Sequence, residues 1–281
     1  MDRTRESGVC RARAELEVAQ AQLHHWEEPP ISGTRGSGTI FFSHCNLRCR
    51  FCQNHDISQG GSGRPVTPKR LVEIMLELES RGAHNVNLVT PTHYSEQLIP
   101  VLEVARQKLK VPVVWNSNGY EKVETLRRLE GLVQVYLPDF KYFSDKLARA
   151  FSSAPDYARH AAAAITEMRR QVGQNRPNED GILRRGLIIR HLILPGHTDD
   201  SIRILEWIAE NLGPDTSISL MAQYYPTHRA SELNGMDRRL SPTEYQQVRN
   251  RFDELGFDEG FVQELSSASR DYTPDFEGRG I

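Results

Sequence analysis

The stretch from Thr39 to Ser58, TIFFSHCNLRCRFCQNHDIS, constrains this chain more than any other. Ile40, Phe41 and Phe42 form an apolar run that reads as a short buried strand. The run leads straight into Cys45, Cys49 and Cys52, spaced C-x3-C-x2-C. The chain has four cysteines, and three of them fall in these eight residues. A strand that delivers three thiols into one loop marks a soft-metal or redox site at its end. A structural zinc ion would need a fourth tetrahedral ligand, which His44 or His55 could supply. A disulfide with one spare thiol is a second reading. The third is a [4Fe–4S] cube with one corner left open, because soft thiolates select iron–sulfur clusters.

The rest of the chain bounds what surrounds that loop. Its 281 residues suffice for one large α/β domain and are too few for two comfortable ones. With 38% hydrophobic and 26% charged residues, the profile is that of a soluble globular protein. The net charge of −2 supplies no basic field for nucleic acid. No run approaches the roughly 20 apolar residues of a membrane span. The opening MDRTRESG lacks the apolar core of a secretory signal. Clustered cysteines without a disulfide pattern fit a reducing interior, so the expected location is cytoplasmic.

Along the chain, Ala12, Leu16, Ala19, Leu23 and Trp26 recur at steps of four and three, which predicts a helix over 11–26. Glu27-Glu28-Pro29-Pro30 stops it. Cys10 stands alone before this helix, either as an inert thiol or as one that approaches the site from outside. Residues 31–38 form a Gly/Ser connector carrying Arg35, without the spacing of a P-loop. Residues 58–63 are irregular. Thr67-Pro68 opens a helix that runs to about Arg81. Strands are expected at 86–89, 111–114, 133–137, 187–194 and 217–221. Helices are expected at 95–109, 122–129, 144–151, 156–172 and 198–211. Ser241-Pro242-Thr243-Glu244 reads as a capping box opening a last long helix that ends at Gly256, and 261–263 as one more short strand. This alternation gives six strand–helix pairs and argues for parallel strands with crossover helices. Pattern alone does not separate an incomplete barrel from a doubly wound sheet.

The C-x3-C-x2-C loop, with Phe51 before its third cysteine, resembles the cluster loop of the radical S-adenosylmethionine superfamily. Further segments resemble its pyruvate formate-lyase activating enzyme-like branch. These are Cys52-Gln-Asn-His-Asp56, Arg35 to Thr39, Thr90 to His93, Arg190 to Gly196 and Gln263 to Ser267. The resemblance spans about residues 30–270. It implies an α/β fold: an open-sided partial (β/α)6 barrel over 39–281, preceded by an N-terminal helical extension over 1–38. It also implies a [4Fe–4S] cluster on Cys45, Cys49 and Cys52, with S-adenosylmethionine on the open iron. Reduction then yields a 5′-deoxyadenosyl radical that abstracts hydrogen. An electron donor such as flavodoxin or ferredoxin would be required, and only one cluster is possible, since Cys10 is the single thiol left.

In a barrel the chemistry collects just past the strands' C-terminal ends. The resemblance places Gly-Gly-Glu after the second strand, where this chain has Thr90-Pro91-Thr92-His93. Thr90 and Thr92 offer oxygen acceptors to the cofactor's ammonium, or else the segment is a turn capping the next helix. Asn116-Ser-Asn-Gly119 resembles a turn in which Asn118 holds the methionyl end. In Asp139-Phe-Lys141, Lys141 would meet the cofactor carboxylate and Asp139 a monovalent cation. Asn116 stands where that cation's other carboxylate would be. The alternative for Asp139 and Lys141 is an exposed pair worth little. Arg190 and His191 must face opposite ways on one strand. The inward one meets either the cofactor or a salt bridge at the core's edge. Gln223 to His228 form a polar, aromatic cluster that touches either substrate or only the barrel edge.

The expected function is hydrogen abstraction from a glycine of a glycyl-radical-type partner protein. The alternatives are direct action on a peptide or small molecule, and a non-catalytic metal scaffold or sensor.

Overall fold

The computed structural model describes residues 8–270 and 274–281. Residues 16–24 are a strand, β1 (Leu16–His24), and not part of a helix. A short helical turn, α1 (Pro29–Ser32), leads to β2 (Ser37–Phe42), which pairs with β1 antiparallel. The N-terminal segment thus extends the sheet and is no helical extension. Two features hid the strand. Leu16, Val18, Ala19 and Ala21 are all buried, so both faces are apolar. The register also slips between Val18 and Gln20, and a bulge shifts the phase of a two-residue alternation. The apolar positions then happen to fall at helical steps. Trp26, expected on the helix's apolar face, is 59% exposed.

After the cysteine loop come α2 (His55–Ser58) and β3 (Arg64–Val66), which returns to pair with β1. The helix α3 (Pro68–Ser80) starts as its residues dictate. Thr67 Oγ1 accepts the Arg70 N–H at 3.2 Å, and Pro68 takes the first helical position. Then follow β4 (Val86–Val89), α4 (Ser95–Ala105), β5 (Val113–Ser117), α5 (Val123–Arg128) and β6 (Val135–Pro138). Two helices, α6 (Asp145–Ser152) and α7 (Tyr157–Val172), precede the short β7 (Arg176–Pro177) and the long β8 (Leu183–Leu192). The chain continues through α8 (Thr198–Leu212), β9 (Ser217–Met221), α9 (Pro242–Glu254) and β10 (Phe261–Val262). At α9 both capping-box bonds form: Ser241 Oγ accepts the Glu244 N–H at 3.3 Å, and Glu244 Oε2 accepts the Ser241 N–H at 2.9 Å.

The strands run in the order β10-β9-β8-β6-β5-β4-β2-β1-β3, with β7 on the side of β8. Neighbours from β2 to β10 are all parallel. The first six of these, β2 to β9, are the six strands expected from the sequence, and they form an open partial (β/α)6 barrel. Alternate residues face outward to the helices, among them Ile40, Leu88, Trp115 and Tyr136 in the main core. Their neighbours Phe41, Asn116 and Arg190 face the interior cavity. The barrel does not close, because β10 pairs with neither β1 nor β3 at the far end of the order. Residues 274–281 lie along β1 instead. The Ala21 N–H donates to the Arg279 carbonyl at 2.9 Å, and Phe276 packs edge-on against Phe41 at 5.3 Å. Among the described residues no helix is long and apolar enough to cross a membrane.

Candidate active site

The thiol loop is held by backbone bonds from three directions. Arg48 and Arg50 N–H groups donate to the carbonyls of Ser152 and Phe151 at the end of α6, both at 2.9 Å. The Arg50 carbonyl accepts the Arg229 N–H at 2.8 Å, and the His44 N–H donates to Ile57 O at 2.8 Å. His44 takes φ +70°, a left-handed turn that bends β2 into the loop. All four cysteines are free thiols, which leaves the disulfide reading without support. Each loop sulfur meets a hydrogen-bonding group. Cys45 Sγ accepts from Leu47 N–H at 3.3 Å and from Asn118 Nδ2 at 3.4 Å. Cys49 Sγ accepts from Ser152 Oγ at 2.9 Å, and Cys52 Sγ lies 3.2 Å from Ser58 Oγ.

Burial, then the neighbouring Cys49, pushes the Cys45 thiol up to about 12 and Cys52 to about 11. Burial raises Cys49 too, against the pull of Lys141. Thiolates here need added positive charge, which a metal centre supplies. Among the described residues no three Cys, His, Asp or Glu side chains converge as a single ion requires. A cubane takes each thiolate on a different iron and needs no such convergence. The donors aimed at the sulfurs stabilise thiolate, so the set fits an iron–sulfur cluster.

Cys49 and Cys52 open onto a cavity of about 660 Å³ that occupies the barrel interior. Its polar wall is a chain of buried charges. Lys141 Nζ sits 2.6 Å from Asp139 Oδ2, and Arg190 Nε is 3.0 Å from Asp139 Oδ1. Arg190 also reaches Glu27 Oε2 at 3.3 Å and donates to Asn116 Oδ1 at 2.5 Å. Glu27 Oε1 accepts in turn from Asn87 and Asn116. Burial works against the Asp139 carboxylate, but Arg190 and Lys141 outweigh it and hold its pKa below the usual value. Glu27 and Glu28 respond differently: burial raises both, and the attraction of Arg190 does not offset it. Glu28 Oε2 is buried with no hydrogen-bond partner.

Of the residues singled out in the sequence beyond the cysteines, Phe51, Asn116, Asp139, Lys141, Arg190 and Gln223 are among those that line this cavity. Phe51 is wedged between Phe151 and Tyr224. Asp139 and Lys141 are no exposed pair, since both side chains are largely buried. Arg190 forms the core-edge salt bridge, and its guanidinium bridges Asp139 and Asn116, the two positions weighed for a monovalent cation. His191 faces the other way, held by Phe140 O at 2.7 Å and Ser201 Oγ at 2.8 Å. Asn118 sits behind the loop, donating to Cys45 and to Asn46 Oδ1. Thr90 and Thr92 are off the cavity wall. The Thr92 hydroxyl donates to Glu121, a buried carboxylate that also takes Trp115 Nε1 and Ser117 Oγ. Thr92 O accepts from Ser95 Oγ at 2.6 Å, so the segment serves as the turn into α4. Tyr224 is a packing residue, with its hydroxyl on Met236 O. Cys10 is buried, and the carbonyl of its neighbour Val9 accepts from the Arg48 guanidinium.

Sequence reasoning missed Glu27 and Glu28, which read there as a helix stop. The signal was present: an inward arginine needs a carboxylate, and two stood unassigned beside an apolar run. It also missed Ser152, which carried no motif.

Comparison with known proteins agrees with this geometry. The model of the radical SAM superfamily matches residues 39–208. An uncharacterized protein of Methanocaldococcus jannaschii is 32% identical over 258 residues, covering 88% of this chain and 70% of that protein. A lipoyl synthase of Pyrobaculum calidifontis is 21% identical over 240 residues, covering 82% and 77%. Among solved structures, Streptococcus suis SuiB bound to the precursor peptide SuiA aligns with a TM-score of 0.56 at 13% identity. That alignment covers 80% of this chain but only 48% of SuiB, so the chain spans about half of SuiB's length. Methylornithine synthase aligns with a TM-score of 0.54 at 14% identity, covering 84% of this chain and 74% of that one. At such identities the structures share the fold. The family match is what decides membership, since it runs from the strand before the thiols into the helix after Arg190. With more than half of its length so matched, the chain belongs to the radical SAM superfamily and uses a [4Fe–4S] cluster and S-adenosylmethionine.

Proposed function

We propose that Cys45, Cys49 and Cys52 hold the cluster and that the adjoining cavity receives S-adenosylmethionine. When bound, the two supply a 5′-deoxyadenosyl radical for hydrogen abstraction. The chain's own residues position and shield. Lys141, already fixed by Asp139, offers its ammonium to the cofactor carboxylate, and Arg190 holds Asp139 in place. Asn118, off the cavity wall and so not placed to hold the methionyl end, donates to Cys45 and steadies that sulfur from behind the loop. Phe51 and its aromatic neighbours keep water from the thiols.

The substrate in this reading is a polypeptide, with a glycine of a glycyl-radical-type partner as the favoured hydrogen donor. The electron comes from a small redox protein such as flavodoxin or ferredoxin. The observation that carries the reading is the reach of the cavity. It extends from Cys49 and Cys52 to Phe261, Val262 and Gln263 at the barrel's open side. A chain segment entering there has a path to the radical. The likeness to SuiB, a protein solved with a precursor peptide, supports it. Electron paramagnetic resonance on the reduced protein with S-adenosylmethionine and a glycyl-radical partner tests it. A persistent doublet that vanishes when the partner glycine is replaced supports activation.

The likeness to methylornithine synthase favours a second reading, direct action on a small molecule. Deuterium transfer from a small molecule into 5′-deoxyadenosine, with no protein radical, would select it.

A further inference from the structure

The last strand of the sheet has a free edge where it borders the cavity. β10 pairs only with β9, in parallel, with Phe261 opposite Ser219 and Val262 opposite Leu220. The Gln263 N–H donates to the Leu220 carbonyl at 3.0 Å. Along a strand, successive residues send their N–H and C=O to opposite edges. Phe261 and Gln263 therefore address β9, and the N–H and C=O of Val262 point to the open side of the barrel. With Val262 opposite Leu220 and the Leu220 carbonyl taken by Gln263, neither group of Val262 bonds β9, and among the described residues no other strand pairs with β10. Residues 260–263 line the cavity, so this edge is continuous with the site.

A second observation lies beside it. Gln263 Nε2 donates to Gln223 Oε1 at 3.0 Å, and Gln53 Nε2 donates to the Gln223 carbonyl at 3.2 Å. Gln53 follows Cys52 directly, so a row of amides leads from the free edge to the thiol loop. At the edge end of the row, Gln263 Oε1 is buried and accepts no hydrogen bond. A buried acceptor without a donor is costly, and a peptide N–H would satisfy it. Gln53, Gln223 and Gln263 carry no charge, and amide groups are the natural complement of a polypeptide backbone.

We propose that the substrate polypeptide binds in extended form along the outer edge of β10. Its backbone exchanges N–H···O=C bonds with Val262, and a neighbouring peptide N–H meets Gln263 Oε1. Strand addition of this kind takes its affinity from the main chain and tolerates varied side chains. The inference rests on the polypeptide reading above and names how the polypeptide is held.

A random octapeptide library with a central glycine is selected on the cluster-loaded protein in the presence of S-adenosylmethionine. The tightest peptide is then remade with N-methylation at one position at a time. Methylation at one or two positions lowers affinity about tenfold or more, and the remaining positions tolerate it. Val262→Pro deletes an N–H that β9 does not use, so it weakens the unmodified peptide by a similar factor while iron content is kept. Should Val262→Pro lose its cluster, Gln263→Leu and the methylation scan on the unaltered protein give the same reading. Equal binding to these variants, together with tolerance of methylation at every position, overturns strand addition and leaves the polypeptide reading standing. If the unaltered protein retains no peptide at all, both fall.

Discussion

Replacing Arg190 with methionine removes the cation on which the interior charges depend. Arg190 lies 3.0 Å from Asp139 and 3.3 Å from Glu27, and the three side chains are only 17%, 14% and 8% exposed. Removing one partner of a buried ion pair costs about 3–5 kcal/mol, because the other charge stays buried without compensation. Lys141 remains on Asp139 at 2.6 Å, so the deficit falls mainly on Glu27 and does not double. At about 2–4 °C per kcal/mol, the melting temperature should fall by about 6–20 °C. The pH dependence gives the cause away. Burial already raises Glu27 and Glu28, and without the guanidinium both rise further. A carboxyl whose folded pKa exceeds its unfolded value of about 4.3 destabilises the fold at high pH. That cost fades as pH falls through the folded pKa and is gone below the unfolded one. The deficit of Arg190→Met should therefore be larger at pH 8 than at pH 5. Urea denaturation of the metal-free protein, followed by far-ultraviolet circular dichroism at both pH values, measures it. A deficit under about 1 kcal/mol, or one equal at the two pH values, would refute the reasoning.

Three further outcomes are expected. Cys45→Ala, Cys49→Ala and Cys52→Ala should each lose the cluster on anaerobic reconstitution, and Cys10→Ala should keep it, as read by iron content and visible absorbance. Lys141→Ala should retain iron but bind S-adenosylmethionine more weakly by about 1.5–3 kcal/mol, or roughly ten- to hundred-fold, in a titration followed at the cluster. Ser152→Ala should lower the cluster's midpoint potential, since Cys49 loses a donor at 2.9 Å, and Ser152→Thr should restore it. Tyr142→Phe should shift the potential the same way but less, because its hydroxyl touches Ser152 Oγ at 2.6 Å and not the sulfur.

Much of this protein was written in short-range spacing. Three thiols within eight residues, Thr67 before Pro68, and Ser241 three residues before Glu244 each state their local structure, because the partners are neighbours in the chain. The alternation of apolar runs with amphipathic segments likewise made the parallel sheet legible; the odd residues after one strand marked Asp139 and Lys141, and a charge inside an apolar strand marked Arg190. The tertiary structure decided what lies across the chain. β1 is a strand only because β2 and β3 flank it; its own residues carry a bulge and two apolar faces. Glu27 meets Arg190 across 163 residues, and Ser152 meets Cys49 across 103. No periodicity encodes such distances. They arise when the sheet curls and brings the strands' inward side chains to one axis, so the cysteines, Asp139, Lys141 and Arg190 were readable from the sequence, and their partners Glu27 and Ser152 came only with the fold.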